Sequence, residues 1–101
     1  MSNMKFDVEC VRNCLVKNGI VFTVRSYLYN SNWSKFEDKW IKRFLIKEVE
    51  CKSDLRDFLK LSGFNSVDEW WEKIEMFCKD KKKYLYLVFV LGQLDSGARG
   101  E

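Results

Sequence analysis

Three side chains with complementary chemistry, those of Thr23, Arg25 and Tyr27, alternate along one segment of the chain. Residues two apart on an extended strand project from the same face, so the three side chains form one row. The row offers a hydroxyl, a guanidinium that can hold a phosphate through two hydrogen bonds, and a ring that can stack on a base. This combination of side chains is compatible with a surface that binds RNA or a modified nucleotide.

Lysines and arginines elsewhere in the sequence can add an attraction to phosphate groups that does not depend on base sequence. Residues 5–47 carry nine positive and four negative side chains, whereas residues 48–78 carry four positive and eight negative ones. This uneven distribution, rather than the formal net charge of +3, favours a side that faces a polyanion. Two solvated faces of an ordinary protein are the alternative. The predicted RNA-binding cations, besides Arg25, are Lys17, Lys35, Lys42 and Arg43.

The same row also allows structural roles that need no ligand. Arg25 can pair with an acidic neighbour such as Glu48 or Glu50, and Thr23 can be an ordinary strand residue. The exposure and the partners of these two side chains distinguish the two interpretations.

The row is positioned by the elements around it, beginning with a helix predicted over residues 7–17 that Asp7 can cap. Gly19 follows the helix end and turns the chain into a strand, Ile20–Tyr29, which is rich in β-branched and aromatic residues. The row of Thr23 occupies one face of this strand. The other face is predicted to point into the core through Ile20, Phe22, Val24 and Leu28.

The segments after this strand are less regular. Residues 30–39 are polar and predict a loop. Residues 40–49 alternate imperfectly between bulky and charged side chains, which favours a strand but leaves a helix as a competing interpretation. A short helix over residues 54–61 follows, with Ser53 as its cap.

The clearest helix start in the chain is at Ser66, because Glu69 three residues later completes a capping box. Apolar residues then recur at helical spacing and predict a buried stripe formed by Val67, Trp70, Trp71, Ile74, Phe77 and Cys78. Gly63 ends the preceding helix. The apolar residues 84–91 predict a central or barrel-closing strand, and residues 92–101 predict a frayed tail.

The four cysteines include no C-x-x-C pair, and the chain has no histidine to complete a mixed ligand set. No metal site or cofactor is expected, and the cysteines are interpreted as small buried hydrophobes in a reducing compartment. The longest apolar run is about half the ~18 residues that span a bilayer, and residues 1–7 contain no apolar export signal. A cytoplasmic protein without a membrane segment is therefore expected.

The order of elements and two motifs resemble the ASCH domains, which are small members of the PUA-like superfamily. Ser62-Gly63-Phe64-Asn65-Ser66, continuing to Trp70, is similar to the family's most recognisable segment, and Thr23-Val24-Arg25 is similar to the end of its Gly-Lys-x-x-Thr-x-Arg signature. The resemblance covers about residues 8–91. It implies a small mixed β-barrel with helices packed on its ends and a cleft beside the Thr-x-Arg strand, where relatives bind RNA or modified bases.

Some ASCH-like proteins resemble small amidohydrolases that combine a signature lysine, a threonine and a glutamate. Thr23 is present here, but Ile20 stands where this resemblance places the lysine, and Leu61-Ser62-Gly63 stands where it places the glutamate. Lys17 is the nearby amine and is expected on the helix end. A hydrolase using Thr23 and Lys17 stays open as an alternative, as does a ribonuclease using Lys, Arg and Tyr side chains.

Residues 1–91 are thus predicted to form one α+β domain, a PUA-like β-barrel that binds RNA without catalysis in a basic cleft beside the Thr23-Val24-Arg25 strand. A protein-interaction module is the remaining alternative. It would expose a contiguous apolar patch around Trp33, Phe36 and Trp40.

Overall fold

The computed structural model describes residues 4–91, and the tail predicted over residues 92–101 lies outside them. Two α-helices, one 3₁₀ helix and four strands are formed within this range. In chain order they are α1 (Glu9–Asn18), β1 (Ile20–Arg25), β2 (Trp33–Phe36), β3 (Lys39–Glu48), the 3₁₀ helix (Lys52–Leu61), α2 (Val67–Cys78) and β4 (Tyr84–Val90). The predicted α+β class is confirmed for the described residues.

The four strands form one antiparallel sheet in the order β1-β4-β3-β2. β4 lies inside the sheet between β1 and β3, which agrees with the prediction of a central strand from a segment that is apolar on both faces. β1 and β2 are the two edge strands, and no ladder joins them. The sheet is therefore open, and the predicted closed barrel is not seen in residues 4–91.

The N-terminal segment, residues 4–7, contacts both edge strands of this open sheet. The Met4 amide donates to the Lys35 carbonyl of β2 at 2.9 Å. The Lys5 carbonyl accepts from the Arg25 guanidinium of β1 at 2.7 Å. Since these are two separate hydrogen bonds and not a ladder, the segment bridges the edge strands without closing the sheet into a barrel.

Each face of the sheet packs against a different helical layer. α1 and the N-terminal segment cover one face, and the core between them includes Leu15, Val21 and Val88. The 3₁₀ helix and α2 pack on the other face, and the core there includes Leu55, Trp70 and Leu85. Alternate residues of a strand point to opposite faces, so successive residues of β1 and β4 enter different cores.

The two faces of β1 differ from the prediction. Val21 and Thr23 are buried toward the α1 side, whereas Phe22 and Val24 are half-buried against the 3₁₀ helix and α2. The expectation that only the Phe22 row faces a core was therefore wrong, because a helical layer covers each face. The strand also ends at Arg25, well before its predicted end.

The segment predicted as one loop contains strand β2. β2 pairs with β3 across a tight turn formed by Glu37 and Asp38. The prediction failed because this turn has no glycine or asparagine, although Glu37 adopts a positive φ of 59°. Leu28, which was predicted to face the core, follows the end of β1 and is exposed.

β3 confirms the strand predicted over residues 40–49, shifted by one residue, and the competing helix is wrong. The pairing with β4 is irregular between Leu45 and Lys47. The intervening Ile46 is an extra residue in the ladder, so the side chains that follow it change faces. This bulge explains why the alternation in the sequence is imperfect.

The helix ends follow the sequence more closely in α2 than in α1. The Ser66 hydroxyl accepts from the Glu69 amide at 3.1 Å, as predicted, while the Glu69 carboxylate accepts from the Asn65 amide instead of that of Ser66. α1 has Val8 at its N-cap, so the predicted cap by Asp7 is wrong. The C-terminal end of α1 at Gly19 is confirmed, with φ of 75°.

The short helix that was predicted after β3 is confirmed as the 3₁₀ helix, but its cap is not Ser53. The Asp54 carboxylate accepts from the Glu50 and Cys51 amides at 2.9 and 3.2 Å and pairs with Lys47 at 3.1 Å. The Glu50 amide, followed by Lys47, holds the pKa of the Asp54 carboxyl below its usual range. Asp54 thus joins the end of β3 to the start of the 3₁₀ helix.

The cysteines divide by burial. Cys14 and Cys78 are buried and Cys10 is half-buried, but Cys51 is exposed, so the prediction of buried cysteines is wrong for Cys51. Burial raises the pKa of the Cys78 thiol.

Within residues 4–91, no three His, Cys, Asp or Glu side chains are grouped so that they could hold a metal ion. No helix in this range combines the length and apolar character needed to cross a bilayer.

Candidate functional site

A cleft of about 230 Å³ opens at the edge of the sheet formed by β1. It is lined by residues 5–8, by residues 23–27 and by one face of α2. The lining comes from both helical layers, so the cleft lies across the outer edge of β1, where the strand has no partner in the sheet. The structure thereby brings together the predicted row of Thr23, Arg25 and Tyr27.

Arg25 is held in this cleft by a backbone group and a ring. One guanidinium nitrogen donates to the Lys5 carbonyl at 2.7 Å, and the guanidinium carbon lies 4.9 Å from the centroid of the Phe6 ring. Neither Glu48 nor Glu50 forms an ion pair with Arg25 within residues 4–91. Because a guanidinium carries five N–H donors, the Lys5 contact leaves donors of Arg25 for a ligand.

The other two members of the row differ in access to solvent. Thr23 is only 7% exposed, so its hydroxyl lies at the inner end of the row. Tyr27 is 53% exposed, and its hydroxyl lies 3.3 Å from that of Tyr29. The ring of Tyr27 is therefore the one that the row presents to a ligand.

α2 adds two residues that the sequence analysis did not assign to the site. Lys73 and Phe77 line the cleft, and Phe77 is 55% exposed although it was predicted to be part of the buried stripe. Both follow Trp70 at helical spacing, so they lie on the same side of α2 as that residue. The sequence did contain one indication that this part of α2 reaches the surface, because the charged Lys73 lies within the apolar stripe between Trp70 and Phe77.

The N-terminal segment contributes Lys5 and Phe6, which the sequence analysis also missed, because this segment has no periodic pattern. With Lys5, Arg25 and Lys73 on its lining and Asp7 as the acidic residue there, the cleft is predominantly cationic. Its volume is below the ~300 Å³ at which pockets for drug-sized ligands begin. The arrangement can hold one phosphate and one or two stacked rings.

Arg43, which was predicted to bind RNA, is buried on the α1 side of the sheet and is only 2% exposed. Its guanidinium donates to the Ser34 hydroxyl and lies with its central carbon 3.6 Å from the centroid of the Tyr29 ring. Its Nε–H has no hydrogen-bond partner in the described part of the chain. Arg43 is therefore not available to a ligand on the surface without a change in structure.

Burial shifts the pKa values of Arg43 and Tyr29. It lowers the pKa of Arg43 and raises the pKa of Tyr29 to about 12. The Tyr29 phenol therefore keeps its proton well above neutral pH, and the contact with Arg43 is one between a cation and a neutral ring. The sequence analysis counted Arg43 among the surface cations, and nothing local in the sequence shows that its side chain is buried.

Lys35 and Lys42 lie on the face of the sheet opposite Arg43, away from the cleft. Cross-strand register places Trp33 opposite Lys42 and Lys35 opposite Trp40, so the four side chains share one face. Phe44 and Phe89 continue this face, with ring centroids 5.7 Å apart. We call this surface, made of Trp33, Lys35, Trp40, Lys42, Phe44 and Phe89, the hairpin face.

Lys17 is also separate from the cleft. It is exposed in the last turn of α1 and lines a shallow depression together with Lys60 and Asn65. Thr23 lines the cleft and Lys17 lines this depression, and this arrangement does not favour the hydrolase alternative that would pair them.

The comparisons with known proteins add no assignment to this geometry. No protein family, no curated protein and no solved structure matches the chain.

Proposed function

We propose that this domain binds single-stranded RNA, or a modified base within it, by placing one nucleotide in the cleft beside Thr23, Arg25 and Tyr27. The observation that carries the proposal is the composition of one concave surface. Three cations and the exposed rings of Tyr27 and Phe77 line the same small cleft. Bases that are splayed out of a single strand are recognised by this combination of charge and stacking.

The cations provide the first step of binding. Lys5, Arg25 and Lys73 line the cleft from three different segments of the chain, so a phosphate can be approached from more than one side. The planar guanidinium of Arg25 can hold two phosphate oxygens at once, whereas the two ammonium groups act as point charges. Arg25 is therefore the residue that orients the nucleotide.

The rings provide the second step. Tyr27 and Phe77 are each more than half exposed. A base that stacks on an aromatic side chain gains about 1–3 kcal/mol. The unpaired edge of β1 adds backbone N–H and C=O groups that can bond to the polar edge of a base, which provides a means of discrimination.

The resemblance to ASCH domains forms part of this proposal, as do a cytoplasmic location and a binding role without catalysis. The burial of Thr23 and the distant position of Lys17 support binding over hydrolysis. The size of the cleft supports a single nucleotide as the inserted group.

The experiment that tests the proposal is a titration of the protein with labelled, mixed-sequence single-stranded RNA over a series of salt concentrations. Binding should weaken as salt rises, because phosphate contacts release counterions. Arg25→Ala should weaken binding by about 1–3 kcal/mol and leave the melting temperature nearly unchanged. Arg56→Ala is the matched control, because Arg56 is exposed on the 3₁₀ helix and does not line the cleft.

Two results would contradict the proposal. Absence of binding at low salt would exclude a general affinity for RNA, and small modified nucleosides would then be screened as ligands. A large loss of stability in Arg25→Ala with unchanged binding would assign Arg25 to the packing of the N-terminal segment instead.

A further inference from the structure

We propose that the hairpin face is a second contact surface for single-stranded RNA, on which bases stack in succession while lysines neutralise phosphates. The inference rests on the proposed function for its class of partner, but its site shares no residue with the cleft. The hairpin face is built from β2, β3 and β4, whereas the cleft is built from the N-terminal segment, β1 and α2.

The first observation is the exposure of large rings on a sheet. Trp33 is 40% exposed and Phe44 is 38% exposed, and neither belongs to the two cores. The 3₁₀ helix and α2 pack against Phe22, Val24 and Leu85 on this side of the sheet. The β2–β3 part of the same face is left uncovered in residues 4–91, so its rings are available to a partner.

The second observation is the regular alternation of rings and ammonium groups. Along β3, Trp40, Lys42 and Phe44 follow each other at every second residue and so project from one face. On β2, Trp33 lies opposite Lys42 and Lys35 lies opposite Trp40, which places each lysine beside a tryptophan. A polynucleotide carries the complementary groups, bases for the rings and phosphates for the ammonium groups.

The lysines already contact the rings of this face. Lys42 Nζ lies 5.1 Å from the Trp33 centroid and 5.2 Å from that of Phe44, and Lys35 Nζ lies 5.3 Å from that of Trp40. A stacked base is worth more than an exposed contact between an ammonium and a ring. A base can therefore displace the ammonium from the ring, and the freed ammonium can then meet the adjacent phosphate.

The third observation is charge complementarity. Among the described residues, the strand positions that project from this face include Lys35 and Lys42 and no Asp or Glu. The acidic pair Glu37 and Asp38 lies in the turn between β2 and β3. A polyanion therefore meets no carboxylate along the strands of the hairpin face.

The same pattern argues against a protein as the partner. The centre of a protein–protein interface is enriched in aromatic residues but depleted in lysine. Here Lys42 lies between Trp40 and Phe44 on β3 and opposite Trp33, at the middle of the aromatic surface. Burial of that ammonium under an apolar partner would cost its hydration, whereas a phosphate would compensate for it.

The experiment compares labelled oligouridylates of increasing length with uridine monophosphate, using the full chain at two salt concentrations. Trp33→Leu removes a ring and keeps an apolar side chain, and Lys42→Gln removes a charge. Trp33→Leu should lower the affinity for long oligouridylate by about 5- to 150-fold. Lys42→Gln should lower it by about 5-fold at about 0.1 M salt, since it removes one phosphate contact. Both should leave binding of the mononucleotide unchanged. Lys42→Gln should also reduce the slope of log K against log salt by about 0.7. Lys79→Gln, an exposed lysine beyond α2, is the matched control.

The outcomes separate the two sites. Loss of oligonucleotide binding in Trp33→Leu and Lys42→Gln with little effect of Arg25→Ala supports the hairpin face and contradicts the cleft. Loss in Arg25→Ala alone, with both hairpin variants like the wild type, overturns the inference and leaves the cleft proposal standing. Absence of any oligonucleotide binding at low salt overturns both.

Folding of the variants is checked by circular dichroism and thermal unfolding. Phe44→Leu is a further variant if Trp33→Leu fails to fold, because Phe44 is also exposed and its replacement keeps an apolar side chain on β3. If Phe44→Leu and Lys42→Gln both fold and both bind long oligouridylate with the wild-type affinity, the inference is overturned.

Discussion

The cleft and the hairpin face contain similar residue types on surfaces of different shape. The cleft places Arg25 and Lys73 near Tyr27 and Phe77 in a concavity of about 230 Å³. The hairpin face places lysines among aromatic rings on the exposed surface of a sheet. A concave site surrounds its ligand and can match donors to one base, whereas a flat face offers rings and point charges that any base can use. Under the proposals made above, shape rather than composition would give the cleft selectivity and the hairpin face a general affinity for RNA.

The first test is Gly63→Val, which should disturb the packing of α1 next to Phe64, a residue that lines the cleft, and should have the largest effect. Gly63 has φ of 90°, and a Cβ atom there would lie 2.4 Å from the Cys10 carbonyl oxygen of α1. Strain and overlap together should cost about 2–6 kcal/mol. Urea unfolding measures this loss, and a variant of normal stability would show that the contact between Gly63 and α1 is not required.

Gly19→Ala is the matched control, because Gly19 also has a positive φ but a Cβ atom there would meet no other atom within 4 Å. Its unfolding free energy should fall by about 1 kcal/mol, which is the cost of placing alanine in a left-handed backbone conformation. Gly63→Ala is measured beside it. If Gly19→Ala and Gly63→Ala lower the unfolding free energy equally, steric overlap with α1 contributes nothing to the loss.

The second test separates the two arginines. Arg43→Ala should lower the unfolding free energy by about 2–4 kcal/mol, because it removes a buried side chain that packs on Tyr29 and Ser34. Arg43→Met should stay within about 1 kcal/mol of the wild type, since it keeps most of the volume and removes a buried charge that has no carboxylate partner within residues 4–91. Thermal and urea unfolding check both values.

A large loss in Arg43→Met would show that the charge itself holds the β2–β3 hairpin in place. Arg25→Ala is the comparison within the same experiment. Its stability should fall by no more than about 1 kcal/mol, because the hydrogen bond that Arg25 donates to the Lys5 carbonyl is exposed to solvent.

The third test asks whether the cleft and the hairpin face act independently on RNA. The losses of binding free energy, about 1–3 kcal/mol in Arg25→Ala and about 1 kcal/mol in Lys42→Gln, should add within about 0.5 kcal/mol in the double variant, because no protein side chain contacts both residues. Titration with long oligouridylate measures all three variants. A loss in the double variant no larger than that of one single variant would mean that the two surfaces act as one unit.

The fourth and smallest effect concerns pH and the Asp54 carboxylate that joins β3 to the 3₁₀ helix. Its folded-state pKa lies below the unfolded value of 3.8, chiefly because of the Glu50 amide. Its contribution to stability is therefore present above about pH 4 and is lost as pH falls through the folded pKa. Unfolding free energy measured against pH should decline less steeply in this range for Asp54→Asn than for the wild type. Identical pH profiles would exclude Asp54 as a source of acid sensitivity.

Some residues of the cleft could be predicted from the sequence and others could not. Thr23, Arg25 and Tyr27 do line one cleft, but β1 ends at Arg25 and Val24 and Ser26 line the cleft too. Nearness in the chain, and not two-residue periodicity, therefore explains why these three side chains lie together. Lys73 and Phe77 were missed, because nothing local shows that α2 packs beside the edge of β1. Arg43 was placed on the surface for a similar reason, since its burial depends on Tyr29 and Ser34 from neighbouring segments.

The strands show the same limit. β4 and the end of α1 at Gly19 were predicted correctly, because an apolar run and a glycine stop act within a few residues. β2 was missed because the turn at Glu37 and Asp38 contains neither glycine nor asparagine. β3 was ambiguous because the bulge at Ile46 reverses its alternation. The expected barrel became an open sheet, since closure depends on how two distant edge strands meet.

The sequence by itself determined the α+β class, the central position of β4, the start of α2 at Ser66 and the nearness of Thr23, Arg25 and Tyr27. Each of these follows from propensity, capping or periodicity among residues that are close in the chain. Only the tertiary structure decided that the N-terminal segment and α2 enclose that row, that Arg43 lies inside, and that the β2–β3 hairpin presents its rings and lysines together. These features depend on packing and register between distant segments, where a shift of one residue along a strand exchanges the buried and exposed side chains.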